Sequence, residues 1–166
     1  MIVFSPNTII KAADVNANFT ESTAIASQVN PYKFSAYMSA TQSTTATTWT
    51  KLQMNTEEYD TNSNYNNATY GYTAPVTGYY LFTVMVQLTN QAGVPFLVAF
   101  SKDGTTESLR GQEIPNTTNA ITLSATHLIK LTAAEILYPI YYSQTAGRTL
   151  NSGIVLSKFS GILVSV

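Results

Sequence analysis

Along residues 79–88, YYLFTVMVQL, the side chains alternate in kind. Tyr80, Phe82, Val84, Val86 and Leu88 share one parity, and Tyr79, Leu81, Thr83, Met85 and Gln87 the other. A period of two belongs to an extended strand, whose successive side chains point to opposite faces. One face is apolar throughout and the other mixed, which predicts a sandwich strand with one side in the core and the other partly covered. The same period recurs at Tyr32, Phe34 and Ala36 and at Leu52 and Met54, and residues 94–100 read as a further strand. In residues 121–131 Ile121, Leu123, Ala125, His127, Ile129 and Leu131 agree in parity. Residues 136–142 place Ile136, Tyr138, Ile140 and Tyr142 on one face, and a last strand is expected from about Ile154 to Val166.

Turn chemistry separates these runs. Pro75 has no donor for a sheet ladder, and Gly78 tolerates backbone angles closed to other residues. Residues 75–78 therefore predict the corner between a strand ending near Thr73 and the one that begins at Tyr79. Asp103-Gly104 predicts a tight turn, and residues 132–135 another. Residues 41–48, 57–70 and 147–153 are polar and read as loops. Eight or so short strands predict an all-β fold, a two-sheet jelly-roll sandwich. Periodicity alone leaves an immunoglobulin-like sandwich open, although the Cys, Trp, Cys arrangement of that fold is missing.

Before Asn30-Pro31 the pattern changes. Val15, Phe19 and Thr23 stand four apart, and Ile25 and Val29 repeat the interval on a shifted line. A short helix with a thin apolar stripe fits, Asp14 serving its amino end, and an extended arm is the alternative. The chain is accordingly divided into an attachment or oligomerisation segment, residues 1–30, and a sandwich domain, residues 31–166.

Composition acts mainly by exclusion. Lys and Arg together number 8 and Asp and Glu 9, for a formal net charge of -1. Nucleic-acid binding needs a dense set of phosphate-neutralising side chains, so it is not expected. With no cysteine, disulfides and thiolate metal sites are ruled out. Neither a signal peptide nor an 18-residue apolar run is visible, so a soluble chain made in the cytoplasm, without membrane insertion, is expected. Threonine, serine and asparagine, at 25, 15 and 13 residues, supply the polar surface instead. Such a surface suits recognition by shape and hydrogen bonding rather than long-range steering.

One ordered set of residues resembles a known family. Asn55 and Tyr59-Asp60 precede Thr73, Pro75, Gly78, Tyr80 and Phe82, with Tyr72 ahead of them. The chain closes with Phe159, Ser160, Gly161, Ile162 and Leu163. This is similar to the Phe-Thr-x-Pro-x-x-Gly-x-Tyr-x-Phe signature and the Phe-Ser-Gly-x-Leu ending of the globular C1q-like domain of the C1q and tumour necrosis factor superfamily. Tyr72 replaces the first Phe, Ala134-Glu135 replaces a Gly-Asp turn, and Pro139 falls where the family has an unbroken strand, which suggests an edge strand or a bulge. The resemblance covers residues 32–166 and implies a ten-stranded jelly roll that assembles as a homotrimer, chain ends at the base and loops at the apex. Ile10, Ala13, Asp14, Val15, Asn16, Asn18 and Phe19 resemble a segment of bacteriophage tail-fibre and other virion proteins.

These resemblances direct the site expectations. Tyr79, Leu81 and Met85 lie opposite the core parity and are candidates for the trimer interface. Tyr65, Asn66, Asn67 and Tyr70 join flat rings to amide groups and are candidates for ligand contact. Asn116, Thr117, Thr118 and Asn119 form a second polar set. Some family members bind calcium near the apex, so Glu57, Glu58 and Asp60 are weak candidates for a calcium cofactor, ordinary loop solvation being the simpler reading. His127 shares the parity of core residues and has no His, Cys or carboxylate cluster near it in the sequence, so it reads as a satisfied, partly buried residue. Without a nucleophile elbow or phosphate loop, no enzyme is expected. The leading expectation is a noncatalytic trimeric virion protein of a bacteriophage, mounted on other virion proteins through residues 1–30, whose head contacts a host-surface glycan or protein. A capsid decoration, fibre-base or baseplate component and a cellular C1q-like binding module are the alternatives.

Overall fold

The computed structural model describes residues 32–89, 95–114 and 120–166. The amino-terminal segment and the set Asn116, Thr117, Thr118 and Asn119 lie outside the described residues. Thirteen strands and no helix are present among those described: β1 (Lys33–Tyr37), β2 (Gln42–Ser43), β3 (Thr50–Lys51), β4 (Thr56–Asp60), β5 (Tyr65–Asn66), β6 (Gly71–Thr73), β7 (Gly78–Leu88), β8 (Phe96–Ser101), β9 (Leu109–Ile114), β10 (Ile121–Leu131), β11 (Ile136–Ser143), β12 (Thr149–Leu150) and β13 (Lys158–Ser165).

Two sheets result. In the first, β7 pairs with β10 along one edge and with β13 along the other, and β1 and β4 continue beyond β13. The two-residue strands β12 and β2 extend it at the Leu88 end of β7. The second sheet runs β5, β6, β11, β8, β9, with β3 also on β11. This antiparallel jelly roll agrees with the all-β expectation. The alternation in residues 79–88 holds at every position: Tyr80, Phe82, Val84, Val86 and Leu88 are fully buried.

The core is an aromatic wedge between the sheets. Phe34 of the first sheet stacks on Tyr72 (4.5 Å, 15°) and Tyr65 (5.1 Å, 10°) of the second and meets Phe159 edge-on at 4.8 Å. Phe82 joins Phe100 across the sheets at 6.3 Å. Gly161 makes room for the rings, because a Cβ there would stand 2.5 Å from Phe82 and 2.8 Å from Phe34.

The corner at residues 75–78 is closed from inside. The Tyr80 hydroxyl donates to the Val76 carbonyl at 2.7 Å, so this tyrosine fills the core and ties the preceding turn. At residues 132–135 Ala134 takes φ of 70°, a conformation that favours glycine. Glu135 accepts from the Thr132 amide at 2.7 Å and pairs with Lys102 at 3.0 Å. The Thr132 amide first, and Lys102 after it, push the Glu135 carboxyl down to about 2.

Three expectations are corrected by the topology. β11 is an inner strand, not an edge, since β8 lines one side and β6 and β3 the other. Pro139 is tolerated because its carbonyl accepts from Leu52 at 2.9 Å. In an antiparallel strand its nitrogen faces that same side, in the gap between the short partners β6 and β3, where no donor is needed. Within β11 the core takes Leu137 and Tyr141, whereas Ile136, Tyr138 and Tyr142 are only half-buried on the outer face. Residues 154–156 form a turn, closed by Ser157 donating to the Gly153 carbonyl, and not the start of the last strand.

Gly161→Ala is expected to lower stability by about 1–3 kcal/mol through overpacking against Phe82 and Phe34, measured by urea denaturation. Ala134→Gly is expected to raise it by about 0.5–1 kcal/mol, because relief of the left-handed strain outweighs the added freedom of the unfolded chain. Thermal melting checks that gain, and an unchanged or lower midpoint would count against the strain.

Candidate functional site

The outward residues of β7 meet those of its neighbours in rows. Leu81 stands opposite Leu128 of β10 on one side and Ile162 of β13 on the other, and Ile162 stands opposite Lys33 of β1. Leu128 is 60% exposed, Leu81 40% and Ile162 37%. Tyr79, with the Lys130 ammonium 5.8 Å from its ring centroid, and Val164 are exposed on the same sheet. An apolar strip thus crosses three strands of the sheet.

The next row is short and polar. Thr83 stands between Thr126 and Ser160, and Ser160 is opposite Ser35. The Thr83 and Thr126 hydroxyls share a hydrogen bond of 3.0 Å. Small side chains beside Leu81 and Ile162 leave a basin of about 230 Å³, lined also by Tyr59 and Lys33. Beyond it Lys158 pairs with Glu58 at 2.7 Å, and the Ser35 hydroxyl donates to the same carboxylate at 3.0 Å. Lys158 first, then Ser35, hold that carboxyl below the usual glutamate range.

Of the candidate interface residues, Tyr79 and Leu81 stand on the exposed strip. Met85 is half-buried, level with Ser124 and Lys158. Leu128, Ile162 and Val164 escaped the sequence reading. Their signal was present: Leu128 is the one large apolar residue on the outer parity of β10, among Thr122, Ser124, Thr126 and Lys130.

The polar loop candidates separate. Tyr65 belongs to the core, 6% exposed, its hydroxyl donating to the Met54 carbonyl at 2.6 Å. Burial pushes its phenol well above the ordinary range. Asn66, Asn67 and Tyr70 share one tight turn, in which the Asn66 side-chain oxygen accepts from the amides of Ala68 (2.9 Å) and Thr69 (3.0 Å). Tyr70 takes φ of 64° there.

The acidic candidates do not converge either. Glu58 is engaged by Lys158 and Ser35, while Asp60 accepts from the amides of Tyr65 (2.7 Å) and Asn62 (3.2 Å). Among the described residues no group of three or more His, Cys, Asp or Glu side chains is placed to hold a metal ion. His127 donates from Nε2 to the Arg110 carbonyl at 2.9 Å and meets Phe100 edge-on at 6.0 Å. Among the described residues no helix is long and apolar enough to cross a membrane.

The fold has counterparts among known proteins. Residues 33–164 match the C1q domain family model, and the chain belongs to that family. The fold is similar to the globular domain of zebrafish complement 1qA protein (TM-score 0.61, 16% identity), which matches over 81% of this chain and 98% of that one. It is also similar to murine APRIL at pH 5.0 (TM-score 0.62, 10% identity, 81% and 100% of the two chains). Eiger TNF from S. frugiperda is a further likeness (TM-score 0.57, 11% identity, 81% and 94%). No curated protein matches the sequence significantly.

Tyr65→Phe tests the core placement of that residue. Loss of its buried hydrogen bond is expected to cost about 1 kcal/mol in urea denaturation, whereas Asn67→Ala on the exposed turn should change stability by less than about 0.5 kcal/mol.

Proposed function

We propose that the chain is a noncatalytic binding module that works as a homotrimer, the outer face of the first sheet lying between subunits. The observation that carries this reading is the exposed row Leu128, Leu81 and Ile162 with Tyr79 and Val164 beside it. Covering such a row on association removes apolar surface from water at roughly 25 cal/mol per Å². A closed ring of three satisfies every copy at once. Tyrosine suits the contact, since its ring can be buried while its hydroxyl keeps a hydrogen-bond partner.

Binding by threefold repetition is the mechanism. One rigid trimer presents three weak sites together, so avidity replaces individual affinity. Asn66, Asn67 and Tyr70 on their turn are candidates for that contact, as is the set Asn116 to Asn119. The relatives named above are animal proteins, which favours a C1q-like binding module as the general description. A bacteriophage fibre, mounted through residues 1–30 and contacting a host-surface glycan or protein, is a second setting, favoured by the text from Ile10 to Phe19. Adsorption of the purified protein to cells, and competition with phage attachment, distinguishes that setting.

Light scattering of the purified protein is expected to give three times the 18.0 kDa chain mass. Ile162→Asp is expected to yield a folded single chain with at least a tenfold weaker association. A wild-type protein that stays at one chain mass at high concentration overturns the assembly.

A further inference from the structure

The hydroxyl of Tyr72 is enclosed in the aromatic wedge with no hydrogen-bond partner in the protein. The residue is 1% exposed, and its ring is held by Phe34, Tyr80 and Phe82. Asn64 Nδ2 and Thr145 Oγ1 are also buried without a partner, but both residues are half-buried in loops, where a change of rotamer reaches solvent. Tyr72 has no such freedom. A buried hydroxyl without a partner costs its full desolvation, and phenylalanine, the residue of the C1q-type signature at this place, fills the same space without that cost. Burial first, then Tyr80, Asp60 and Tyr32, hold the Tyr72 phenol above its ordinary range, so it remains a neutral donor.

We infer that Tyr72 marks a site for one internal water, which accepts from the Tyr72 hydroxyl and donates to the Tyr80 oxygen. That oxygen has the capacity. It donates to the Val76 carbonyl at 2.7 Å and takes only a long contact of 3.4 Å from the Val76 amide, which leaves a lone pair. The two rings meet edge-on, with centroids 6.0 Å apart. An internal water needs two to four polar partners, and these two hydroxyls supply the minimum. A metal ion suits the place less well, since both phenols are neutral and the Asp60 oxygens already accept from the amides of Asn62 and Tyr65. Tyr72 belongs to β6 of the second sheet and Tyr80 to β7 of the first. The water therefore extends the Tyr80–Val76 tie, so that the corner at residues 75–78 is fastened to both sheets.

The test joins a crystal structure of the full chain, at a resolution that shows ordered water, to unfolding in urea. One water within about 3.2 Å of both Tyr72 Oη and Tyr80 Oη is expected, and is expected to be missing from Tyr72→Phe. That variant keeps the ring that fills the wedge, and its unfolding constant is expected to rise about fivefold. With Tyr80→Phe already in place, the same substitution is expected to raise it by less than about twofold, because the bridge has lost its other end. A Tyr72 hydroxyl bonded directly to a protein atom overturns the site. So does a Tyr72→Phe chain as stable as wild type, or an equal loss with and without the Tyr80 hydroxyl. The mass that tests the proposed assembly is a separate reading, so either inference can fail alone.

Discussion

Phe34 between Tyr65 and Tyr72 is the contact on which the rest of the fold depends. It joins β1 of the first sheet to β5 and β6 of the second, and Phe159, Tyr80, Phe82 and Phe100 close around it. Each such ring pair adds about 0.5–1.5 kcal/mol beyond the area it buries. Rings this size fit between two sheets only where the backbone gives way, and Gly161 gives way under Phe34 and Phe82. The ending Phe159, Ser160, Gly161 is therefore a packing requirement of the wedge. In the same way the Tyr80 hydroxyl links the wedge to the 75–78 corner, so one residue serves the core and the turn.

The wedge also decides which residues face outward. With Phe82, Phe159 and Phe34 directed inward on β7, β13 and β1, the register obliges Leu81, Ile162 and Lys33 to point away. The exposed strip is thus a by-product of the core register, made apolar by choice of side chain. The outer positions of β8 behave differently. Leu97, Ala99 and Ser101 are all buried, as is Ile140 of β11. The large exposed apolar residues of the sheets accordingly gather on the first sheet, at Tyr79, Leu81, Leu128, Ile162, Val164 and Tyr59.

Legibility in the sequence followed the locality of the cause. Strand β7 and strand β10, eleven residues each, were readable because one parity is apolar throughout β7 and apolar but for His127 in β10. The face of β11 was not readable, since ILYPIYYS is apolar on both parities and only packing into the core selects the parity of Leu137 and Tyr141. Tyr65 sits in the polar run NSNYNNATY, and nothing local says that its ring stacks on a phenylalanine thirty-one residues earlier. The two-residue strands β2 and β12 arise from polar text for a similar reason, being held by each other and by Leu88 rather than by their own periodicity. Leu128 was legible in principle, as a lone leucine among threonines, serine and lysine on an outward parity.

Low charge completes the physical picture of the face. With a net charge of -1, the chain has little field with which to steer a partner over distance. The ion pairs of Lys102 with Glu135, Arg110 with Glu107 and Lys158 with Glu58 stand at the surface and contribute little to stability. On such a surface short-range shape and hydrogen bonding count for more than attraction over distance. A row of leucine and isoleucine beside a row of threonine and serine gives this face a step in side-chain length with few charges, because the register that buries Phe82 and Phe159 leaves those shorter side chains in the adjacent outward row.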